Sequence, residues 1–388
     1  MTLEIKTENT GRIEEGIGFS EVENPRFSEV EPDLEEIEEK ASEHDCESLI
    51  VIGNGGSITS FRALYYAFID HIDVNVHLVT TQEPDFLNRV AANTDPDETI
   101  VMPISKSGQT TSVLESLLYF MKRDYPVFAV TSDNDGALRE IVRRENYEWI
   151  EHKEVGGRFS GLTETALMPA ALCGIDVEEV REGGEKIYRK FNSGPNPAWK
   201  LAKTLYSAEN QGYDQILTPF YTTRMFGFYP LTVQLMHETV CKKGEGQTVF
   251  GDLGPEYQHH TNQRLFGGAE DIIPLFFTSK AHENEKLEVP EQLRDIDLRG
   301  RKLGELDGET YSSALESEFK GVEKALEEEE RPFTVLSIKS VDYRSMGKLM
   351  AFLQYLAVYS AELRDVDPYS QPDVEMSKEK GFERRFDL

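Results

Sequence analysis

The sequence predicts an α/β protein made of two subdomains of similar kind, each a parallel sheet between layers of helices, followed by a C-terminal tail. Three observations carry this. Short β-branched runs alternate with helical patterns from residue 48 to residue 152, which is the signature of right-handed βαβ units and a parallel sheet. The same alternation begins again near Pro197. The length of 388 residues suits two or three domains at roughly 150 residues each. We therefore divide the chain into residues 1–190, 191–365 and a tail of 366–388.

Residues 1 to about 30 are polar, with Gly and Pro and no clear period, and read as an extended arm over the surface. Asp33 to Asp45 reads as an amphipathic helix. SLIVIG (48–53) is the first strand, followed by NGGS and a helical pattern through Tyr66. VNVHLVT (74–80), ETIVMPIS (98–105), PVFAVTS (126–132) and YEWIEH (147–152) are the next four, with a helix at Ser112–Met121 after the third. In the second block YDQILTPFY (213–221) is a strand, and a helix follows it into Glu238. DIIPLFFT (271–278) and RPFTVLSIKS (331–340) are strands on either side of an acidic helix, Tyr311–Glu330, whose EEEE run reads as a solvated face. A long helix, Met346–Leu363, comes next. The tail has two prolines and little apolar periodicity, yet Tyr369, Val374, Met376 and Phe382 argue that it packs on something.

A composition of 39% hydrophobic and 29% charged residues is that of a soluble globular protein. The longest apolar run, Leu167–Ile175, is too short to span a bilayer. The start, MTLEIKTENTG, has no basic segment leading into an apolar core, so it reads as cytoplasmic. Cys46, Cys173 and Cys241 cannot all pair, and none sits in a metal-binding spacing. There are 41 basic residues against 71 acidic, a net charge of −30. Such a surface repels nucleic acid and anionic membranes. Either the chain is adapted to a very salty cytoplasm, where screening acts within ~3 Å at 1 M salt, or it is simply acidic. We favour the first.

Several stretches carry candidate chemistry. Gly53-Asn54-Gly55-Gly56-Ser57 ends a strand and opens a helix. It is neither the GxGxxG dinucleotide fingerprint nor a Walker loop. It reads as a tight turn capped by Ser57 or as a loop whose backbone N–H groups meet an anion. Ser105-Lys106-Ser107-Gly108-Gln109-Thr110-Thr111 has the same position after another strand, and its hydroxyls, lysine and N–H groups make a phosphate cradle. Two such loops on neighbouring strands favour phosphate binding over caps. Gly156-Gly157-Arg158-Phe159-Ser160 would let a guanidinium swing over a ligand, or is a surface loop. Leu231, Leu235 and Glu238 lie at i, i+4 and i+7, so a helix places Glu238 on the stripe of two leucines. Burial there would favour a carboxylate's neutral form, which suits a group that takes and returns a proton. The alternative is a helix-end glutamate reaching solvent. Gln371 and Lys378 are seven apart, on one helical face. His259 follows Gln258 after a Gly-Pro turn, and no histidine shows metal spacing.

In their order along the chain, Gly55-Gly56-Ser57, the Ser105–Thr110 loop, Gly156–Ser160, Glu238 with Lys242 and Gly244, Gln258-His259, and Gln371 through Lys378 resemble the motifs of phosphoglucose isomerases. The resemblance covers residues 48 to 380 and is nearest the short bacterial and archaeal members of the sugar isomerase (SIS) superfamily. It implies two SIS-type three-layer αβα subdomains in a homodimer, without metal or organic cofactor, acting on a phosphorylated hexose. It further implies that Gly56, Ser57, Ser105, Lys106, Ser107, Thr110 and Gly157 surround the sugar and its phosphate, and that Gln371 contacts substrate. By the same resemblance Glu238 moves a proton between C1 and C2, and Arg158 stabilises the enediolate. Lys378 and a His259 donated by the partner subunit would open the sugar ring. The chain departs from the family pattern at Cys241, Lys243, His260, Asp373 and Ser377.

This chemistry needs these groups. Removing a weakly acidic C–H proton beside a carbonyl takes a positioned base, which supplies ~10²–10⁴-fold. A guanidinium offsets the charge that develops on oxygen. The phosphate holds the reacting carbons against the base. Two other readings share the fold: a dual phosphoglucose/phosphomannose isomerase, and a non-catalytic SIS module that senses a sugar phosphate. Gln371 and the chain length favour the single-substrate isomerase, and a sensor has no use for Glu238, Arg158, His259 and Lys378 together.

Overall fold

The structure is a computed structural model that describes residues 3–9, 17–19, 25–192 and 194–387. Every residue of β2 (Ser48–Ile52) is buried, as befits a central parallel strand covered on both faces. β3 (Asn75–Val79) and β4 (Thr99–Ser105) flank it, and β5 (Phe128–Thr131) and β6 (Glu148–Glu151) follow, giving an all-parallel sheet in the order β3-β2-β4-β5-β6. Successive side chains point to opposite faces of a strand. Leu49 and Val51 therefore join a core with α1 (Arg26–Glu29), α2 (Leu34–Ser42), α3 (Gly56–Phe68) and α7 (Glu164–Leu172). Ile50 and Ile52 join another with α4 (Pro84–Ala92), α5 (Thr111–Met121) and α6 (Ala137–Glu145).

The second sheet has the order β1-β12-β9-β7-β8: β7 (Gln215–Phe220), β8 (Thr248–Leu253), β9 (Ile272–Ser279) and β12 (Phe333–Ile338) are parallel, and β1 (Leu3–Glu8) pairs antiparallel on the edge of β12. Its outer face packs on α11 (Thr261–Gly267) and α12 (Tyr311–Glu328) through Leu265, Phe319, Val322 and Leu326. Its inner face packs on α9 (Pro197–Glu209), α10 (Phe228–Val240) and α13 (Tyr343–Glu362). α8 (Val177–Phe191) lies against α13. The inner cluster is continuous: Leu49 of the first sheet and Ile273 of the second belong to the same buried body. A two-residue hairpin, β10 (Asp297–Leu298) and β11 (Arg301–Lys302), decorates the second half. α14 (Pro372–Phe386) closes the chain. Among the described residues no helix is long and apolar enough to cross a membrane.

Two expectations need correction, and one strand, β8, has no counterpart among the expected ones. The N-terminal arm contains β1, a true strand; its six residues are too few for the Leu3/Ile5 alternation to stand out, and it gains its place by pairing with β12. The remainder of that arm falls largely outside the described residues. β8 was hidden by the glycines around it. Gly251 sits in it because a Cβ there would lie 2.2 Å from Thr218 Oγ1 on β7. The tail packs only in part: Tyr369 meets Phe159 with ring centroids 5.9 Å apart and Val374 is half-buried, but α14 has no buried residue and Met376 and Phe382 are exposed.

α8 and α13 approach closely because glycines line the crossing. A Cβ on Gly347 would stand 1.8 Å from the Val180 carbonyl oxygen, and one on Gly183 would stand 2.1 Å from that of Arg344. Gly321, on the solvent side of α12, has nothing within 4 Å of its Cβ position. Gly347→Ala should destabilise by about 3 kcal/mol, since backbone cannot yield as a side chain does. Gly321→Ala should stabilise by about 0.5–1 kcal/mol. Urea midpoints decide this, and equal shifts for both variants would refute the packing argument.

Candidate active site

The site is built around a turn. After β6 the chain makes a 3-10 turn over Gly157–Phe159. Phe159 is buried, stacked on Phe27 with ring centroids 4.9 Å apart, and its carbonyl accepts from Gln354 Nε2 at 2.9 Å. On the other side the turn meets the start of α3. A Cβ on Gly56 would lie 2.0 Å from the Gly157 carbonyl carbon, so only glycine permits the two backbones to touch.

Arg158 is thereby fixed and buried, at 3% exposure. Its Nε donates to Thr239 Oγ1 (2.9 Å), Nη1 to Gln371 Oε1 (2.6 Å), and Nη2 to the carbonyls of Pro368 (2.6 Å) and Ser370 (3.2 Å). Nη1 also stands 3.5 Å from Glu238 Oε2. The expected swinging arginine is instead a clamped one. Burial pulls its pKa below the usual range, and the charges of Glu238 and Asp367 partly offset that.

Glu238 comes from the last turn of α10. Leu231 and Leu235 are buried as their spacing predicts, but the Glu238 side chain is half-buried, because by the third turn the stripe emerges into a cleft. The cleft holds about 130 Å³ and is lined by His237, Glu238, Cys241, Lys242, Gln371, Pro372, Asp373 and Val374. Gln234 was not singled out by sequence, yet it sits one turn before Glu238. Its Nε2 donates to Glu238 Oε1 at 3.0 Å while its Oε1 accepts from Thr59 Oγ1 of α3 at 2.8 Å. The i, i+4 spacing of Gln234 and Glu238 was the available signal.

Lys242 is buried and donates to the carbonyls of Thr239 (2.8 Å) and Asp367 (2.5 Å). Burial first, and then the Arg158 charge, pushes its pKa down to about 8.

The two hydroxyl-rich loops lie side by side at the carboxyl ends of β2 and β4, where ligands bind in open parallel sheets. Asn54 Nδ2 ties the first loop to the first turn of α5 by donating to Ser112 Oγ at 2.8 Å. The N-cap of α3 is Gly55 (φ +55°), so Ser57 belongs to the first turn and is not the cap. Neither α3 nor α5 is capped by a side chain, which leaves N-terminal N–H groups for an anion. Ser105 Oγ and Thr110 Oγ1 are 3.0 Å apart. Ser107 Oγ accepts from the Gln109 N–H at 3.2 Å. Lys106 is half-buried, and its carbonyl accepts from Asn134 Nδ2 at 3.0 Å.

Gly56, Gly157, Arg158, Glu238 and Gln371 are thus brought together, and Ser57, Ser105, Lys106, Ser107 and Thr110 share the adjoining strand ends. Two of the expected catalytic residues, Lys378 and His259, neither line the cleft nor, among the described residues, hydrogen-bond to a residue that does. Lys378 Nζ lies 2.8 Å from Glu375 Oε1 on exposed α14. His259 is exposed at the end of the short turn Glu256–His259.

Two parallel sheets sharing an inner helical layer, with hydroxyl-rich turns at the strand ends, make the fold of the SIS sugar isomerases. The chain superposes on a hypothetical protein from Thermus thermophilus with a TM-score of 0.85, at 27% identity over 92% of this chain and 88% of that one. It superposes on a glucose-6-phosphate isomerase from Chlamydia trachomatis with a TM-score of 0.74, at 20% identity over 90% of this chain and 72% of that one. In sequence it is 27% identical over 353 residues to the glucose-6-phosphate isomerase of Methanocaldococcus jannaschii, spanning 89% of this chain and 86% of that protein. No protein-family model matches it. The resemblance to phosphoglucose isomerases holds along most of the chain.

Lys242 gives a pH test. Folded, it releases its proton near pH 8; unfolded, near its ordinary 10.5. Between these values the unfolded chain binds more protons, so this group makes stability rise with pH. Compared with Lys242→Met, the parent should gain stability from pH 8 to 10.5, as urea midpoints would register. Parallel pH profiles would rule out a strained lysine.

Proposed function

We propose that this chain is a glucose-6-phosphate isomerase, interconverting glucose 6-phosphate and fructose 6-phosphate by base-catalysed proton transfer through a cis-enediol(ate). The observation that carries this is the pairing at the cleft: Glu238 Oε2 at 3.5 Å from the buried Arg158 and Oε1 at 3.0 Å from Gln234 Nε2.

The phosphate sits across the N-termini of α3 and α5, held by Ser57, Ser105, Lys106, Ser107 and Thr110, with Gly56 and Gly157 allowing close approach. Lys378 and a His259 from a second copy of the chain open the ring, and the segment 366–388 completes the site. Glu238 takes the C2 proton of the open-chain aldose and returns it to C1, while a hydroxyl proton passes from O2 to O1. Arg158 offsets the negative charge of the enediolate. Gln371, bonded to Arg158, contacts the sugar. No net oxidation occurs. The substrate is an anion approaching a protein of net charge −30, so Lys106 and Arg158 act against an adverse field that salt screens.

A coupled assay in molar KCl and in dilute buffer tests this, with faster turnover expected in salt. Glu238→Gln should lower turnover by ~10²–10⁴-fold and leave phosphosugar affinity nearly intact. A variant that still turns over would remove Glu238 from its role. Mannose 6-phosphate should react far more slowly, and comparable rates would replace the single-substrate reading with the dual one.

A further inference from the structure

α14 is bound to the body of the protein in an unusual way. None of its residues is buried. Among the described residues, the hydrogen bonds that tie it to other elements lie at its two ends. At its start the N-cap residue Gln371 accepts from Arg158. At its end Arg385 forks onto Glu115 of α5, Nε to Oε1 at 2.5 Å and Nη2 to Oε2 at 3.1 Å. Glu115 Oε2 also accepts from Gln82 Nε2 at 3.1 Å. The pairing holds the Glu115 carboxyl below its usual range.

The spacing makes this consequential. Gln371, Lys378 and Arg385 are seven residues apart in succession, so two helical turns separate each from the next and all three lie on one face. Val374 and Gly381, which share that face, are half-buried, whereas residues 375–380 are exposed. Val374 and Gly381 therefore turn this side of α14 to the body, Lys378 stands exposed beside them and paired with Glu375, and Arg385 is the anchor beyond it. The anchor lands on α5, the helix whose N-terminus forms one of the two anion-binding turns.

We propose that the Arg385–Glu115 ion pair latches α14 across the first sheet's helices and so sets where Lys378 stands, making Arg385 and Glu115 positioning residues for ring opening. This rests on the reading of Lys378 given above. Both side chains are more than a third exposed, so the geometry counts for more than the charge: a bidentate fork fixes direction where a single contact would not.

The experiment uses the full-length chain with four variants: Arg385→Glu, Glu115→Arg, their double exchange, and Lys378→Ala. Two readouts are taken on each. One is backbone hydrogen exchange over residues 372–386. The other is kcat/KM on ring-closed glucose 6-phosphate and on 5-deoxyfructose 6-phosphate, which lacks the hydroxyl needed to close a ring. Each single exchange should speed amide exchange in α14 and lower kcat/KM on the ring-closed substrate by about fivefold, the upper range for an exposed pair. The open-chain substrate should be unaffected, and the double exchange should restore both readouts. Lys378→Ala should show the same substrate selectivity with amide exchange unchanged. If the single exchanges leave α14 protection and the ring-closed rate unaltered, or the double exchange fails to restore them, the latch is wrong and the ring-opening role of Lys378 stands. If Lys378→Ala leaves the ring-closed rate unchanged, that role falls, and the positioning proposal falls with it.

Discussion

A buried guanidinium must have its donors met, because an uncompensated charge in the interior costs several kcal/mol. Arg158 meets this demand with four hydrogen bonds that reach two separate parts of the chain: Thr239 at the end of α10, and the segment entering α14, through the Gln371 side chain and the carbonyls of Pro368 and Ser370. Lys242 makes the same demand one turn away and collects the Asp367 carbonyl. Two desolvated cations thus draw residues 367–371 to the cleft. This explains why the tail returns to the site although the helix beyond it buries nothing.

The clamp also orders the groups that face solvent. Glu238 lies beside Arg158 and is held from its other oxygen by Gln234, which reaches in turn to Thr59 on α3. Glu238 and α3 therefore belong to one hydrogen-bonded chain that crosses from one sheet's helices to the other's. The close backbone contact between Gly56 and Gly157 fixes the same spacing sterically. Positioning of this kind is what lets binding energy at a phosphate act on carbons several bonds away. Cys241 lines the same cleft, and nothing in the structure explains its choice there.

Much of this was legible in the residues. The parallel strands were visible as buried β-branched runs, since burial on both faces leaves no alternation to confuse with a helix. The two glycine- and hydroxyl-containing turns were visible as strand-to-helix connections, because glycine there marks the end of a strand and the opening of a helix. β1 and β8 were not: an edge strand of six residues has too short a period, and glycines chosen for close approach, such as Gly251, read as loop. The clamped state of Arg158 was hidden because two of its four hydrogen bonds go to backbone carbonyls, which have no sequence signature, and the other two to side chains 81 and 213 residues away. Glu238 showed how a stripe can mislead at its end, where the same spacing that buries Leu231 and Leu235 brings the next member into a cleft.

The central claim is that one carboxylate, held by a buried arginine, moves a proton between neighbouring carbons of a tethered phosphosugar. A crystal structure with fructose 6-phosphate bound tests it most directly. The phosphate should rest on the N-termini of α3 and α5, with C1 and C2 within about 3.5 Å of a Glu238 oxygen, the reach of a near-attack geometry. A sugar seated elsewhere, or carbons out of reach of Glu238 with Arg158 still clamped, would contradict it.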